Sequence, residues 1–428
     1  MKKTTMILSV GLSALVGASV IAGCGGPRKK ATTDPFVDDF DASKEYTINF
    51  FGWGDDQEQD IYKRIIKDFE AQYPNVHVKY DATAAGEYLP ALTGKIDSLP
   101  DVFYLPDTEF LQWADSGRLL SISNGFTEAE YSSLWSTAVD WYSYNRAEKT
   151  LGVSEGSDLY CLPKDIGPWT LMYNVDMVDE MVKNGKLTQG EADLLADSDN
   201  PLTWKQFTDI CVKIQGYFGT EKNNDKFYAI PYYELSSAVW SNNADYFDEN
   251  AMHSTISSDE FCETIEWLWD LMYTYKVVPK STGDSAQNMF LAKNSAFCWV
   301  GPYLTPMYHQ QKMNYRLLPV PYNGENPEAR STTLGLAISK STKSPAAALA
   351  LMKYLSLNES AQKDFYTRGQ LIPNLKSMAL DRESFLSEND GSVALWPENR
   401  SVYCDIVDGF GGDTKAALGK TGGDKIGG

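Results

Sequence analysis

The chain is poor in histidine, in paired cysteines and in positive charge. Its three histidines, His77, His253 and His309, stand far apart, which leaves little from which to build a histidine metal centre or a catalytic triad. No G-x-S-x-G, H-E-x-x-H or phosphate-binding loop is present. None of the six cysteines forms a C-x-x-C. With Cys24 set aside, Cys161, Cys211, Cys262, Cys298 and Cys404 remain, an odd number that cannot all pair. Cys211 and Cys262 fall on apolar helix faces and Cys298 in an apolar strand, so buried free thiols are expected. Lysine and arginine number 38 against 58 acids, a net charge of −20. Such a chain is repelled by nucleic acid and anionic membrane surfaces, so no nucleic-acid partner is expected.

Long apolar runs are also scarce, with one exception. Met6 to Ala22 carries no charge, follows Lys2 and Lys3, and is too short and too rich in Ser and Gly for a comfortable membrane span. It ends in Ile21-Ala22-Gly23-Cys24. An aliphatic residue, two small residues and a cysteine form the pattern of a bacterial lipobox, in which the thiol takes a diacylglycerol. Residues 1–23 are therefore expected to be a lipoprotein signal peptide. Cys24 is the expected lipidation site, and the protein is expected at the outer face of a bacterial cytoplasmic membrane. Residues 24–44 read as a flexible tether. At the other end, 408–428 is Gly-rich with few large apolar residues, so it is expected to be disordered or poorly packed.

What is abundant is aromatic: 25 Tyr, 18 Phe and 11 Trp in 428 residues. The length fits two domains, and the aromatic excess hints at an aromatic-lined site. Tyr46 to Phe51 reads as a strand closed by Gly52-Trp53-Gly54. Ile61, Tyr62, Ile65, Ile66 and Phe69 make one helical stripe that Pro74 stops. Val76 to Tyr80 and Pro100 to Leu105 read as further strands, and Gly117 as the C-cap of the helix after them. This alternation predicts a layered α/β domain with much of its sheet parallel. Thr127 with Glu130, Thr203 with Gln206 and Ser257 with Glu260 fit capping boxes. Phe261, Ile265, Leu268, Met272 and Tyr275 form the stripe behind the last of these, and Ser344-Pro345 opens an Ala- and Leu-rich helix.

From Tyr46 to about Trp396 an ordered series of landmarks resembles the extracellular solute-binding proteins of ABC importers, the family that includes the maltose-binding proteins. The series runs through Phe51-Gly52-Trp53-Gly54, Phe69-Glu70-Ala71-Gln72-Tyr73-Pro74, Leu99-Pro100-Asp101-Val102 and Ala114-Asp115-Ser116-Gly117-Arg118-Leu119. It continues with Tyr160-Cys161-Leu162-Pro163 leading to Tyr173-Asn174, then Leu202-Thr203-Trp204 with Phe207, and Gly301-Pro302-Tyr303. Gly335-Leu336-Ala337-Ile338 and Ile372-Pro373-Asn374 close it. The chain departs from the pattern at Lys95 to Leu99, at Gln206 where an acid is common, and in its Gly-rich end.

The resemblance implies a two-domain α/β fold of the periplasmic-binding-protein type, with a multi-crossing hinge and an inter-domain cleft. It implies an N-terminal lobe of 45–163 plus 332–366 and a C-terminal lobe of 164–331 plus 367–407. Crossings are expected near Lys164 to Pro168, Ser331 to Leu334 and Tyr366 to Gln370. The implied function is capture of a carbohydrate, an oligosaccharide in the first place, and its delivery to ABC permease subunits by a monomer with no cofactor, metal or catalytic residue. A secreted carbohydrate-active enzyme using a pair such as Asp55 with Asp107 or Glu109, and a surface sensor or adhesin, are the competing readings.

In α/β domains ligands sit beyond the carboxyl ends of strands. That rule selects Trp53, Asp55 and Asp56 after the first strand, with Gly52 and Gly54 allowing close approach. It selects Tyr104, Asp107 and Glu109 after the third. In both groups the acids would alternatively cap the next helix. Trp169 lies by the hinge. Trp240, with Asn242 and Asn243, is expected in a polar loop after an Ile230-Pro231 strand. Tyr303 holds a position where the family often stacks a tryptophan on the sugar, and Trp396, Arg368 and Gln370 complete the candidates.

Overall fold

The computed structural model describes residues 36, 41, 43–221, 226–248, 253–281, 285–367, 371–386 and 397–408. The signal peptide, Cys24, most of the tether, Arg368, Gln370, Trp396 and the tail beyond residue 408 lie outside these residues.

The first lobe begins β1 (Tyr46–Trp53), α1 (Asp56–Gln72), β2 (Val76–Thr83), α2 (Ala85–Gly94), β3 (Val102–Pro106) and α3 (Asp107–Asp115). The short helices α4 (Glu128–Ser133) and α5 (Ser136–Trp141) follow, then β4 (Ser143–Asn145), β5 (Thr150–Leu151), β6 (Asp158–Leu159) and β7 (Cys161–Pro168). The stripe read from sequence on α1 is the buried one: Ile61, Tyr62, Ile65, Ile66 and Phe69 face the sheet. Gly117 takes φ +71° after α3, as a C-cap does.

The second lobe contains β8 (Thr170–Asn174), α6 (Val175–Lys183), α7 (Gln189–Ala196), α8 (Trp204–Glu221), α9 (Leu235–Trp240), α10 (Asp259–Trp269), α11 (Ala286–Leu291), β9 (Phe297–Val300), α12 (Thr305–Gln310) and β10 (Tyr315–Leu318). The chain returns to the first lobe through β11 (Ser331–Ile338), α13 (Pro345–Leu357) and α14 (Glu359–Tyr366). It finishes with α15 (Lys376–Ala379) and α16 (Ser401–Asp408).

The main sheet has the order β2-β1-β3-β11-β7. Its β2-β1-β3 part is parallel, whereas β11 runs antiparallel to both β3 and β7. A smaller antiparallel sheet, β10-β8-β9, supports the second lobe. Both sheets are open and flanked by helices. Two large apolar cores follow this division, one around the first sheet and one around the second.

Several local expectations need correction. The capping box after Ser257 is displaced by one residue: Ser258 caps α10 by accepting from the Phe261 N–H. The stripe behind it is incomplete, because Ile265 and Tyr275 are exposed while Thr264 and Leu271 face inward. A five-residue π turn, Asp270–Thr274, shifts the register of the helical face there. Cys262 is exposed on α10, whereas Cys161, Cys211, Cys298 and Cys404 are buried free thiols. The boxes at Thr127 with Glu130 and Thr203 with Gln206 form as read.

One excursion has no counterpart in the sequence reading. Leu134 belongs to the first core, Trp135 to Trp141 lend Trp135, Ala138 and Trp141 to the second, and Tyr142 returns to the first. The Trp135 indole N–H donates to the Pro373 carbonyl at 2.9 Å, and Leu134 bridges to Leu375.

Candidate functional site

The two long strands β7 and β11 run side by side from one lobe toward the other. Ser331 pairs with Pro168, and the Trp169 N–H donates to the Arg330 carbonyl at 2.8 Å just past the pair. A register shift between Leu334 and Gly335 bends the ribbon. The buried Asn374 amide donates to the Pro163 and Lys164 carbonyls, at 2.8 and 3.2 Å, so the segment after α14 is bound to the same ribbon.

Charged groups gather along this ribbon. The Lys164 ammonium, nearly buried, lies 2.6 Å from Glu58 of α1 and 2.8 Å from Asp165. Burial alone would lower its pKa. The two carboxylates outweigh that and hold it well above the ordinary lysine value. Asp107, at the first turn of α3, has its carboxyl raised mainly by burial. Backbone N–H groups of Thr108 and Thr333 and the nearby Arg330 oppose the rise, and Asp165 adds to it. Arg330, at the second-lobe end of β11, is about 3.9 Å from Glu234. Its guanidinium and the Asp165 carboxylate both lie within electrostatic reach of Tyr303.

Tyr303 stands on a short turn, Pro302–Leu304, directly after β9 and is 47% exposed. It meets the Trp169 ring edge-on at 6.1 Å. Burial raises the phenol pKa of half-buried Tyr232, with Cys298, Glu234 and Tyr303 adding to the rise and Arg330 opposing it. Trp169 and Tyr303, both read from sequence, are therefore in contact, and Asp107, also read from sequence, lies within reach of the same Arg330 and Asp165. Asp165, Glu234, Tyr232 and Arg330 join them but were not among the candidates. A signal existed for two of them: Asp165 lies within the crossing strand β7 and Arg330 directly before β11, whereas Tyr232 and Glu234 lie in the approach to α9, which no local pattern ties to the crossing.

The remaining candidates separate. Trp53 is half-buried, edge-on to Tyr88 at 4.7 Å and to Tyr104 at 5.4 Å. Asp55 is the N-cap of α1, accepting from the Glu58 N–H at 2.8 Å, and Asp56 is exposed in the first turn. Glu109 lies in the first turn of α3. Tyr104 needs correction: it lies inside β3, not after it, and is fully buried. Gly52 serves that packing, since a Cβ there would stand 2.9 Å from the Tyr104 ring. Gly54 likewise makes room for Glu58.

Trp240 and Asn242 also need correction. No strand forms at Ile230-Pro231; Glu234 instead caps α9 by accepting from the Ser237 N–H, and Trp240 ends that helix. Trp240 is 2% exposed, in a small cluster with Val239, Ala244 and Phe261. Its indole N–H donates to Asp245 at 3.2 Å. The Asn242 amide is occupied by Glu260, Glu263, Thr264 and Asn323. Both are packing residues of the second lobe.

Among the described residues, no group of three or more His, Cys, Asp or Glu is placed to hold a metal ion, and no helix is long and apolar enough to cross a membrane.

Comparison with known proteins agrees with this architecture. A similar solved structure is an ABC substrate-binding protein from Listeria monocytogenes in complex with cycloalternan. It has a TM-score of 0.65 and 19% identity, covering 88% of this chain and 96% of that one. A cyclic α-maltosyl-1,6-maltose binding protein from Arthrobacter globiformis gives 0.64 at 14% identity, over 90% and 99%. Among curated proteins, an uncharacterized ABC transporter extracellular-binding protein from Pyrococcus horikoshii is 28% identical over 134 residues, 31% of either chain. The match thus spans about a third of that relative's length. The family model for bacterial extracellular solute-binding proteins matches residues 55–362, most of the chain. The chain belongs to the bacterial extracellular solute-binding proteins.

Proposed function

We propose that this protein captures a neutral oligosaccharide between its lobes and delivers it to the permease subunits of an ABC importer. The observation that carries the reading is the cluster at the crossing strands: Tyr303 and Trp169 offer aromatic faces beside Asp107, Asp165 and Arg330. Aromatic faces suit the C–H faces of a sugar, and ionic groups suit its hydroxyl rim. Acids outnumber bases there, and Lys164 is already held by Glu58 and Asp165, so an anionic ligand is disfavoured. Trp53, Asp55, Asp56 and Glu109 are proposed to close on the ligand from the first lobe. The named ligands of the two solved relatives, cycloalternan and a cyclic maltosyl-maltose, support the sugar class.

A lipid on Cys24 is proposed to hold the monomeric protein at the outer membrane face. No step of bond cleavage belongs to this reading. Calorimetry against a panel of neutral linear and cyclic oligosaccharides, with uronic acids as controls, tests it. Saturable binding of a neutral sugar that remains chemically intact is expected. Binding of the uronic acids alone, or cleavage of the bound sugar, overturns it.

A further inference from the structure

A cavity of about 720 Å³ opens on the first lobe, outside the proposed sugar site. Its walls are α4, α13 and the C-terminal end of α1, with Tyr73, Gly125, Ala129, Leu349 and Lys353 among the lining residues. One wall is pinned by Lys353, whose ammonium binds Glu130 at 2.7 Å and sits 4.5 Å from the centre of the Phe126 ring. Leu349 fills the space that a side chain at Gly125 would need, leaving a smooth apolar floor.

One residue from far upstream is already in this groove. Phe36 lines the cavity and packs against the first core. A Cβ on Gly125 would come within 3.3 Å of its ring. Downstream of Phe36, the chain is next held at Asp41 and Lys44. The Asn75 amide donates to the Asp41 and Lys44 carbonyls at 3.3 and 2.8 Å. The Asp41 N–H donates to the Tyr46 hydroxyl at 3.2 Å. Gln72 and Tyr73, which line the groove, stand three and two residues before Asn75. Asp41 is five steps along the chain from Phe36, enough for a reach of roughly 17 Å.

We infer that this groove is the seat of the chain's own N-terminal segment, residues 34–40, with Phe36 as its anchor. The sequence Asp34-Pro35-Phe36-Val37-Asp38-Asp39-Phe40 supplies three apolar side chains in an otherwise polar stretch. A linker free of structural duty has no need of them. The docking stands apart from the lipid reading; its consequence for reach rests on it. With a lipid at Cys24 and Phe36 docked, the free tether shortens from about twenty residues to about eleven. Its greatest reach falls from roughly 70 Å to roughly 40 Å. The first lobe is then the one held near the membrane.

Hydrogen–deuterium exchange on the whole exported chain tests the docking. Amides of residues 34–40 are expected to exchange at least tenfold more slowly than in an unstructured peptide. Phe36→Ala is expected to abolish that protection. So is Ala129→Trp, which fills the groove from an exposed position and leaves the segment's sequence untouched. Peptides from β1 and β3 should be unaffected in both variants. Unprotected amides in the unaltered protein overturn the inference, as does protection that survives Ala129→Trp. Protection that rises with protein concentration places a second copy in the groove and also overturns it. Sugar affinity is not the readout, so failure here leaves the proposed transport function untouched.

Discussion

Replacing Lys164 by Met removes the one cation between two largely buried carboxylates. Side-chain exposure is 9% for Lys164, 14% for Glu58 and 22% for Asp165, so water screens this trio poorly. Removing one partner of a buried ion pair costs about 3–5 kcal/mol, because the charge left behind is desolvated and unpaired. The partial exposure of Asp165 argues for the lower end, about 3 kcal/mol. The pH dependence fixes the cause. Lys164 has a folded pKa raised above its unfolded value, so its stabilisation is fully present below about 10.5 and is lost only as pH rises through the folded pKa. The unaltered protein therefore has the full benefit at neutral pH. In Lys164→Met, Glu58 and Asp165 are left without the cation that holds them. Urea unfolding followed by tryptophan fluorescence at pH 7 measures the loss. A loss under about 1 kcal/mol at pH 7 refutes the argument, since that is the scale of an exposed pair.

Tyr303→Ala should weaken sugar binding by about 1–3 kcal/mol in calorimetry while changing the stability of the ligand-free protein by less than about 1 kcal/mol, as for a half-exposed side chain. Trp240→Ala should do the reverse, costing about 3 kcal/mol of folding stability in denaturant titration with affinity per folded molecule unchanged. Asp107→Asn should raise the melting temperature at pH 7. The raised carboxyl pKa means that the ionised form burdens the folded state, and the difference should fade as pH falls below the unfolded value of 3.8, which a melting-temperature series against pH would follow.

The start of the first lobe was legible because its signals are local. The stripe Ile61 to Phe69, the stop at Pro74 and the alternation from Val76 each lie within or beside a single helix or strand. The site was legible where a residue follows a strand in sequence, as Tyr303 follows β9 and Asp107 follows β3. It was lost where position depends on remote pairing. Arg330 and Asp165 meet the site only because β11 pairs with β7 across some 165 residues. Trp240 was misplaced because Glu234 caps α9, and glutamate is not among the residues that announce a helix start. The excursion of Trp135 to Trp141 into the second core rests on Pro373 and Leu375, which no local pattern connects to it.

The strand order β2-β1-β3-β11-β7 also governs when the first lobe can finish folding. β3 has β1 on one side, but its other neighbour, β11, lies more than 200 residues further along the chain, and β7 reaches the sheet only through β11. A growing chain therefore carries the open edge of β3 until most of its length has been made, the kind of edge that recruits other chains. A fragment ending at Pro168 would keep that edge permanently and lack the strand that joins β7 to the sheet. Splicing residues 43–168 directly to 331–366 would supply the missing strand. The natural boundary of this lobe lies in the sheet, and no single cut in the sequence reproduces it.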